Sequence, residues 1–175
     1  VYVDKTSKVN ATAADSAAAV GIMAMGSDEG GVSIDAPGTI KAEAGDGIGV
    51  VGLLGENNVK ATGTISASGK EDGVGLMVGL LSDYISPYIT IGLPWNIGSA
   101  ALLGSMYGDL TLGNISADLV GAGALFGNPD MYGTGGNIIG TSGLVKSKLL
   151  LMLALRNIGY TSQPINNDVD SVGAI

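Results

Sequence analysis

The chain has 175 residues, 46% of them hydrophobic and 14% charged, with 16 Asp and Glu against 8 Lys and Arg for a net charge of −8. That balance excludes nucleic acid as a natural partner, because affinity for phosphates rests on clustered cations, and Lys5, Lys8, Lys41, Lys60, Lys70, Lys146, Lys148 and Arg156 form no cluster along the sequence. Without Cys or His there is no disulfide, no thiolate metal site, no thiol nucleophile and no imidazole base.

Residues 1–9 are short and mixed, with no convincing cap for a repeat array. From Val20 an apolar, glycine-punctuated segment recurs, opening at Val20, Ile48, Val74, Ala101, Ala124, Leu149 and Val172. A period of about 25 residues marks a stacked repeat architecture. The first unit, Val20 to Gly47, and the second, Ile48 to Gly73, hold the same parts in the same order: an apolar strand, a polar turn, an alternating strand leading into Gly-Thr-Ile, and small residues closing on Asp-Gly. The triads fall at Gly38-Thr39-Ile40 and Gly63-Thr64-Ile65, and Gly113-Asn114-Ile115 stands two periods further on, with Tyr88-Ile89-Thr90-Ile91 in the slot between.

Runs such as Val32-Ser33-Ile34, Val59-Lys60-Ala61 and Leu110-Thr111-Leu112 alternate with period two, which predicts strands buried on one face. Thirty glycines would wreck a helical repeat, since each costs about 1 kcal/mol relative to Ala in a helix interior. In a coiled stack they belong at corners where φ > 0 is needed, which assigns Asp46-Gly47, Asp72-Gly73, Gly26, Gly55 and Gly104 to corner turns. Asp-Gly pairs also suit the hairpins of an antiparallel sandwich, the competing reading. The pattern therefore predicts an all-β parallel solenoid (β-helix) of about six turns with loop insertions, a single domain over 1–175. The expected shape is a rod roughly 30 Å long at ~4.8 Å per turn, with Ile40, Ile65 and Ile115 stacked inward. The stretch from about 82 to 98 breaks the pattern with Pro87, Pro94 and Trp95. Val172-Gly173-Ala174-Ile175 reads as the opening of another unit, so the chain is expected to be a segment or processed product of something longer. Its longest uninterrupted apolar run, Leu149 to Leu155, falls far short of the ~20 residues that span a bilayer.

The phrases VGIMAMG, GTIKAEAGDGIGVVG and GTISASGKEDGVGLMVG resemble passenger-domain repeats of bacterial autotransporters, in particular the large fusobacterial-type adhesins. The resemblance covers Val20 to about Leu81 well and the rest weakly. It implies a right-handed parallel β-helix displayed outside the cell, at the bacterial surface, serving adhesion or surface scaffolding. Its motif is structural and implies no catalytic residue.

Carboxylates are the only general acids or bases left. Asp46 and Asp72 occupy equivalent slots and would lie about 4.8 Å apart in adjacent turns, close to the spacing glycosidic carboxylates need. Both precede Gly, however, where Asp serves turn geometry. Gly133-Thr134-Gly135-Gly136-Asn137 lacks the Asp of a calcium-binding repeat, and Asn167-Asp168-Val169-Asp170 lacks EF-hand spacing. Gly47-Ile48-Gly49-Val50-Val51-Gly52 matches a dinucleotide fingerprint, but no helical pattern comes after it. Thr62-Gly63-Thr64 is a lone Thr-x-Thr rank, too little for an ice-binding face. The expectation is therefore no enzyme, no cofactor and no metal.

Amphipathic aromatics on irregular loops suit contact with proteins or glycans. Tyr84, Tyr88, Trp95 and Tyr107, four of the seven Tyr and Trp residues, are the candidate partner-contact residues; padding of the stack where the repeat breaks is the alternative. Val172, Gly173, Ala174 and Ile175 are the candidates for end-to-end contact with further copies, because an open strand edge accepts another strand. The expected roles are thus an adhesin-like binding module, facing protein or glycan on a host or neighbouring cell, or a self-assembling filament or stalk.

Overall fold

The computed structural model describes residues 2, 4–13, 19–20, 33–70, 97–125, 135–140, 144–159 and 166–174, with the backbone alone at 19–20, 157 and 166–174. Thirteen strands succeed one another: β1 (Lys8–Ala13), β2 (Ala19–Val20), β3 (Ile34–Asp35), β4 (Thr39–Ala44), β5 (Gly49–Gly55), β6 (Val59–Ser68), β7 (Ser99–Ser105), β8 (Leu110–Ser116), β9 (Leu119–Ala124), β10 (Asn137–Gly140), β11 (Leu144–Ala154), β12 (Asn157–Ile158) and β13 (Asn166–Ala174). No helix occurs among the described residues. Every pairing between these strands is parallel. That removes the antiparallel hairpin reading of the Asp-Gly pairs, because a hairpin joins its strands antiparallel.

The strands form one curled, open sheet whose path β1-β4-β6-β8-β11-β9-β7-β5-β2 doubles back through β11. It is best followed as three stacks. The first holds β1, β4, the later part of β6, the end of β8, the start of β11 and the start of β13. The second holds β2, β5, β7, β9 and the far ends of β11 and β13. The third holds β3, the starts of β6 and β8, β10 and β12.

Alternation along each strand sends every second side chain between the stacks. Ile40, Ile65 and Ile115 lie directly opposite one another, 0%, 0% and 1% exposed, and Val9 and Val145 extend their row. The second stack contributes Leu53, Leu103, Ala122 and Met152 in one row, the third Ile34, Val59, Leu110 and Ile138. Each large aliphatic side chain so buried stabilises the fold by about 1.5–3 kcal/mol. Thr39 and Thr64, facing away, are opposite each other on the outer side.

Two expectations change. Ile65 pairs directly with Ile115 and β5 directly with β7, although each pair is separated by two sequence periods. No strand stands between them, so the expected slot for Tyr88-Ile89-Thr90-Ile91 does not exist there; those residues, like the rest of 71–96, lie outside the described residues. Of the glycines assigned to corners, Gly47 is in the bend between β4 and β5 and Gly55 ends β5 beside a bend, but Gly104 is inside β7 and none of the three has positive φ, which among the described residues occurs only at Gly135, Gly136 and Gly159; Gly26 and Gly73 lie outside the described residues. The Gly of Gly-Thr-Ile answers to close approach instead. A Cβ at Gly63 would collide with the Gly38 carbonyl and the Pro37 backbone, and one at Gly113 would come within 2.7 Å of the Thr62 carbonyl carbon. Here β6 also carries a register shift between Ala61 and Thr64, a bulge where the chain bends from the third stack into the first.

The outer faces differ. The first stack is polar outside, with Lys41, Glu43, Thr64, Ser66 and Ser116 among its outward positions. The second is apolar on both sides: Ile97, Ala100, Leu119 and Leu149 form a small outer cluster, and Leu151 and Leu153 are 42% and 44% exposed beyond it.

Candidate functional site

The corner where the first stack passes into the second gathers the polar chemistry of the described residues. Residues 69–98 join β6 to β7 here, and the two ends of that connection touch: a Cβ at Gly69 would strike the carbonyls of Gly47 and Gly98, and one at Gly98 would strike the Gly69 carbonyl. Backbone hydrogen bonds fix both ends, Gly49 N donating to Gly98 O at 3.1 Å and Lys70 N to Gly47 O at 3.2 Å. Only glycine allows two backbones this close. The result is a narrow neck at which the two ends of the connection meet.

Beside the neck lies a cleft of about 340 Å³ lined by Ala67, Ser68, Gly69, Ser99, Ser116, Ala117, Asp118, Ser147 and Lys148. Register explains the gathering. Ala100, Leu119 and Leu149 are aligned across β7, β9 and β11, so the residues just before them, Ser99, Asp118 and Lys148, form a column. The column is tightly bonded: Asp118 N donates to Ser99 Oγ at 2.8 Å, Gly98 N to Asp118 Oδ2 at 2.9 Å, and Lys148 Nζ pairs with Asp118 Oδ1 at 3.0 Å. Both carboxylate oxygens are thus engaged. The Ser147 hydroxyl is buried and makes no hydrogen bond within the protein. A second ion pair, Lys70 with Asp46 at 3.5 Å, stands at the same corner one strand away, largely exposed.

Among the predicted site residues, Tyr84, Tyr88 and Trp95 fall outside the described residues. Tyr107 does not join them. It comes after β7, whose seven residues carry the chain about 23 Å from the cleft, and its backbone N–H donates to Glu56 O at 2.7 Å at the opposite corner. Val172, Gly173 and Ala174 lie in β13, paired with Leu150, Leu151 and Met152 of β11; Ile175 is outside the described residues. Asp46 occupies the bend between β4 and β5, and Asp72 is not described. Among the described residues there is no group of three potential metal-ligating side chains and no helix long and apolar enough to cross a membrane.

Sequence reasoning missed Ser99, Asp118, Ser147 and Lys148. The available signal was phase: Asp46, Lys70, Asp118 and Lys148 recur at one corner, so cations scattered along the chain each meet an acid in space. The opposite corner holds an amide ladder that was missed too. Asp109 N donates to Asn58 Oδ1 at 2.8 Å, and Asn137 N and Nδ2 donate to Asp109 Oδ1 at 3.1 and 2.8 Å. No protein-family model, curated protein or solved structure matches the chain.

Proposed function

We propose that this chain is a non-enzymatic, extracellular β-solenoid, a right-handed parallel β-helix of about six turns that acts as a surface adhesin or display scaffold. The carrying observation is the glycine neck: the backbones at Gly69 and Gly98 touch and β5 pairs directly with β7, while the sequence between them, the 71–96 excursion in the chain, holds Tyr84, Tyr88 and Trp95. A rigid scaffold presenting a loop is the usual arrangement for binding. The chain's passage through third, first and second stacks in fixed order supports the solenoid reading. The one carboxylate lining the cleft is held by Lys148 and Gly98, which speaks against acid–base work there. Protein or glycan on a host or neighbouring cell is the partner this reading implies, with Tyr84, Tyr88 and Trp95 as contacts.

Deleting 71–96 and bridging the neck with two glycines tests it. The expected outcome is an unchanged far-UV circular dichroism spectrum and loss of binding to host or partner cells. Unchanged cell binding would remove the display role, and collapse of the fold would show the excursion to be part of the scaffold.

A second reading, a filament or stalk joined end to end, draws on β13, which among the described strands pairs only with β11. An unpaired edge offers free N–H and C=O groups to another strand. Sedimentation over a concentration series discriminates: growth into rods visible by electron microscopy favours the filament, and a monomer at every concentration removes it.

A further inference from the structure

We propose that the corner cleft is a binding site for a neutral saccharide, one or two hexose-sized units lying between the first and second stacks. The proposal adds a ligand class to the display reading and rests on it only in assuming that the chain meets extracellular ligands.

The cleft's chemistry selects the class. Four serines line it: Ser68 and Ser116 are exposed, Ser99 is buried and already accepts the Asp118 N–H, and the Ser147 hydroxyl is buried without a protein partner; a hydroxyl both donates and accepts. A sugar hydroxyl has the same dual character, so the two sets can satisfy one another whatever their rotor positions. The two charged groups that line it are paired with each other, Lys148 Nζ and Asp118 Oδ1 at 3.0 Å. Lys41 and Glu43, on the adjoining outer face, are likewise paired at 2.5 Å. Ala67 and Ala117, 6% and 7% exposed, close the floor of the cleft on its core side. The volume of about 340 Å³ falls within the range of about 300–1,000 Å³ typical of small-ligand sites.

Ser147 supplies the independent observation. A buried hydroxyl without a partner is uncommon and calls for a reason. Because no protein hydrogen bond holds it, rotation about its Cα–Cβ bond toward the cleft breaks none. Outside the cleft the hydroxyl surface continues through Ser66, directly opposite Ser116, and Thr64, which would let a longer glycan run out along the first stack.

The test is a titration of the ¹⁵N-labelled full chain with lactose, maltose and cellobiose up to about 20 mM, well above the ~1 mM scale of weak binding. Saturable shifts at the amides of Ser99, Ser116, Asp118 and Lys148 with at least one of these sugars are expected. Ser116→Phe, which places a ring on the outer rim, should weaken binding at least about tenfold without changing the circular dichroism spectrum, and Ser147→Ala should weaken it several-fold. The proposal is overturned if no neutral disaccharide gives saturable shifts at these amides, or if Ser116→Phe folds and binds as the parent does. The two readings fail separately. Absent cleft shifts with excursion-dependent cell binding remove the saccharide site and leave display standing; cleft shifts with excursion-independent cell binding do the reverse.

Discussion

Ile65 and Thr64 are neighbours in β6 with opposite fates. Ile65 is enclosed by Ile40 and Ile115, whereas Thr64 faces outward and is exposed. Ile65→Ala should destabilise the chain by ~2–5 kcal/mol, the transfer term plus the cavity left in a packed row. Thr64→Ala should stay within about 0.5 kcal/mol, as surface changes do. Urea denaturation of both variants checks the pair, and equal effects would mean that the inward and outward assignments are wrong. The cleft serines form a second contrast. Ser99 is 2% exposed and its hydroxyl accepts the Asp118 N–H, so Ser99→Ala strands a buried donor and should cost ~1–3 kcal/mol. Ser147→Ala removes a hydroxyl that no protein group bonds and should be neutral or stabilising, which thermal denaturation of the two variants would show.

For the strands, the decisive feature is the bend between third and first stacks. Gly63 and Gly113 stand there because the preceding strand's backbone comes too close for a Cβ, and each, like Gly38, leads into an outward Thr or Asn and an inward Ile. Gly63→Ala and Gly113→Ala should therefore each destabilise by roughly 1–3 kcal/mol, the usual scale of overpacking against atoms that cannot yield. Gly121→Ala is the control. Its Cβ would meet only the Leu102 Cδ2 at 3.1 Å, the end of a flexible side chain, so it should be markedly milder in the same denaturation experiment. If all three behaved alike, conformational freedom rather than close approach would explain the triad.

Across the whole molecule, consecutive strands do not pair with one another; the partner of each strand is reached only after at least one other strand has intervened. Loop-closure entropy must be met before such contacts reward it, which makes topologies of this kind slow to form. Refolding from urea monitored by tryptophan fluorescence and circular dichroism should run on the ms-to-s scale or slower, and a microsecond phase carrying the full amplitude would contradict the pairing pattern. The apolar outer side of the second stack, with Leu151, Leu153 and Leu155 42%, 44% and 59% exposed, contrasts with the hydroxyl-rich first stack.

Periodicity, alternation and glycine content determined by themselves that the chain is all-β, that Ile40, Ile65 and Ile115 share a row, and that Thr39 and Thr64 face out. These conclusions rest on the two-residue period of a strand and on a repeat that returns equivalent residues to equivalent places. What lies between repeats was not legible. Sequence spacing read the stretch from Ile65 to Ile115 as two units, and only the pairing of β6 with β8 and of β5 with β7 showed a single step from strand to strand. The cleft was hidden for the same reason. Ser99, Asp118 and Lys148 stand far apart in sequence and share no local motif, so their hydrogen bonds and ion pair exist only because parallel register carries the start of β7, the residue before β9 and the middle of β11 to one corner.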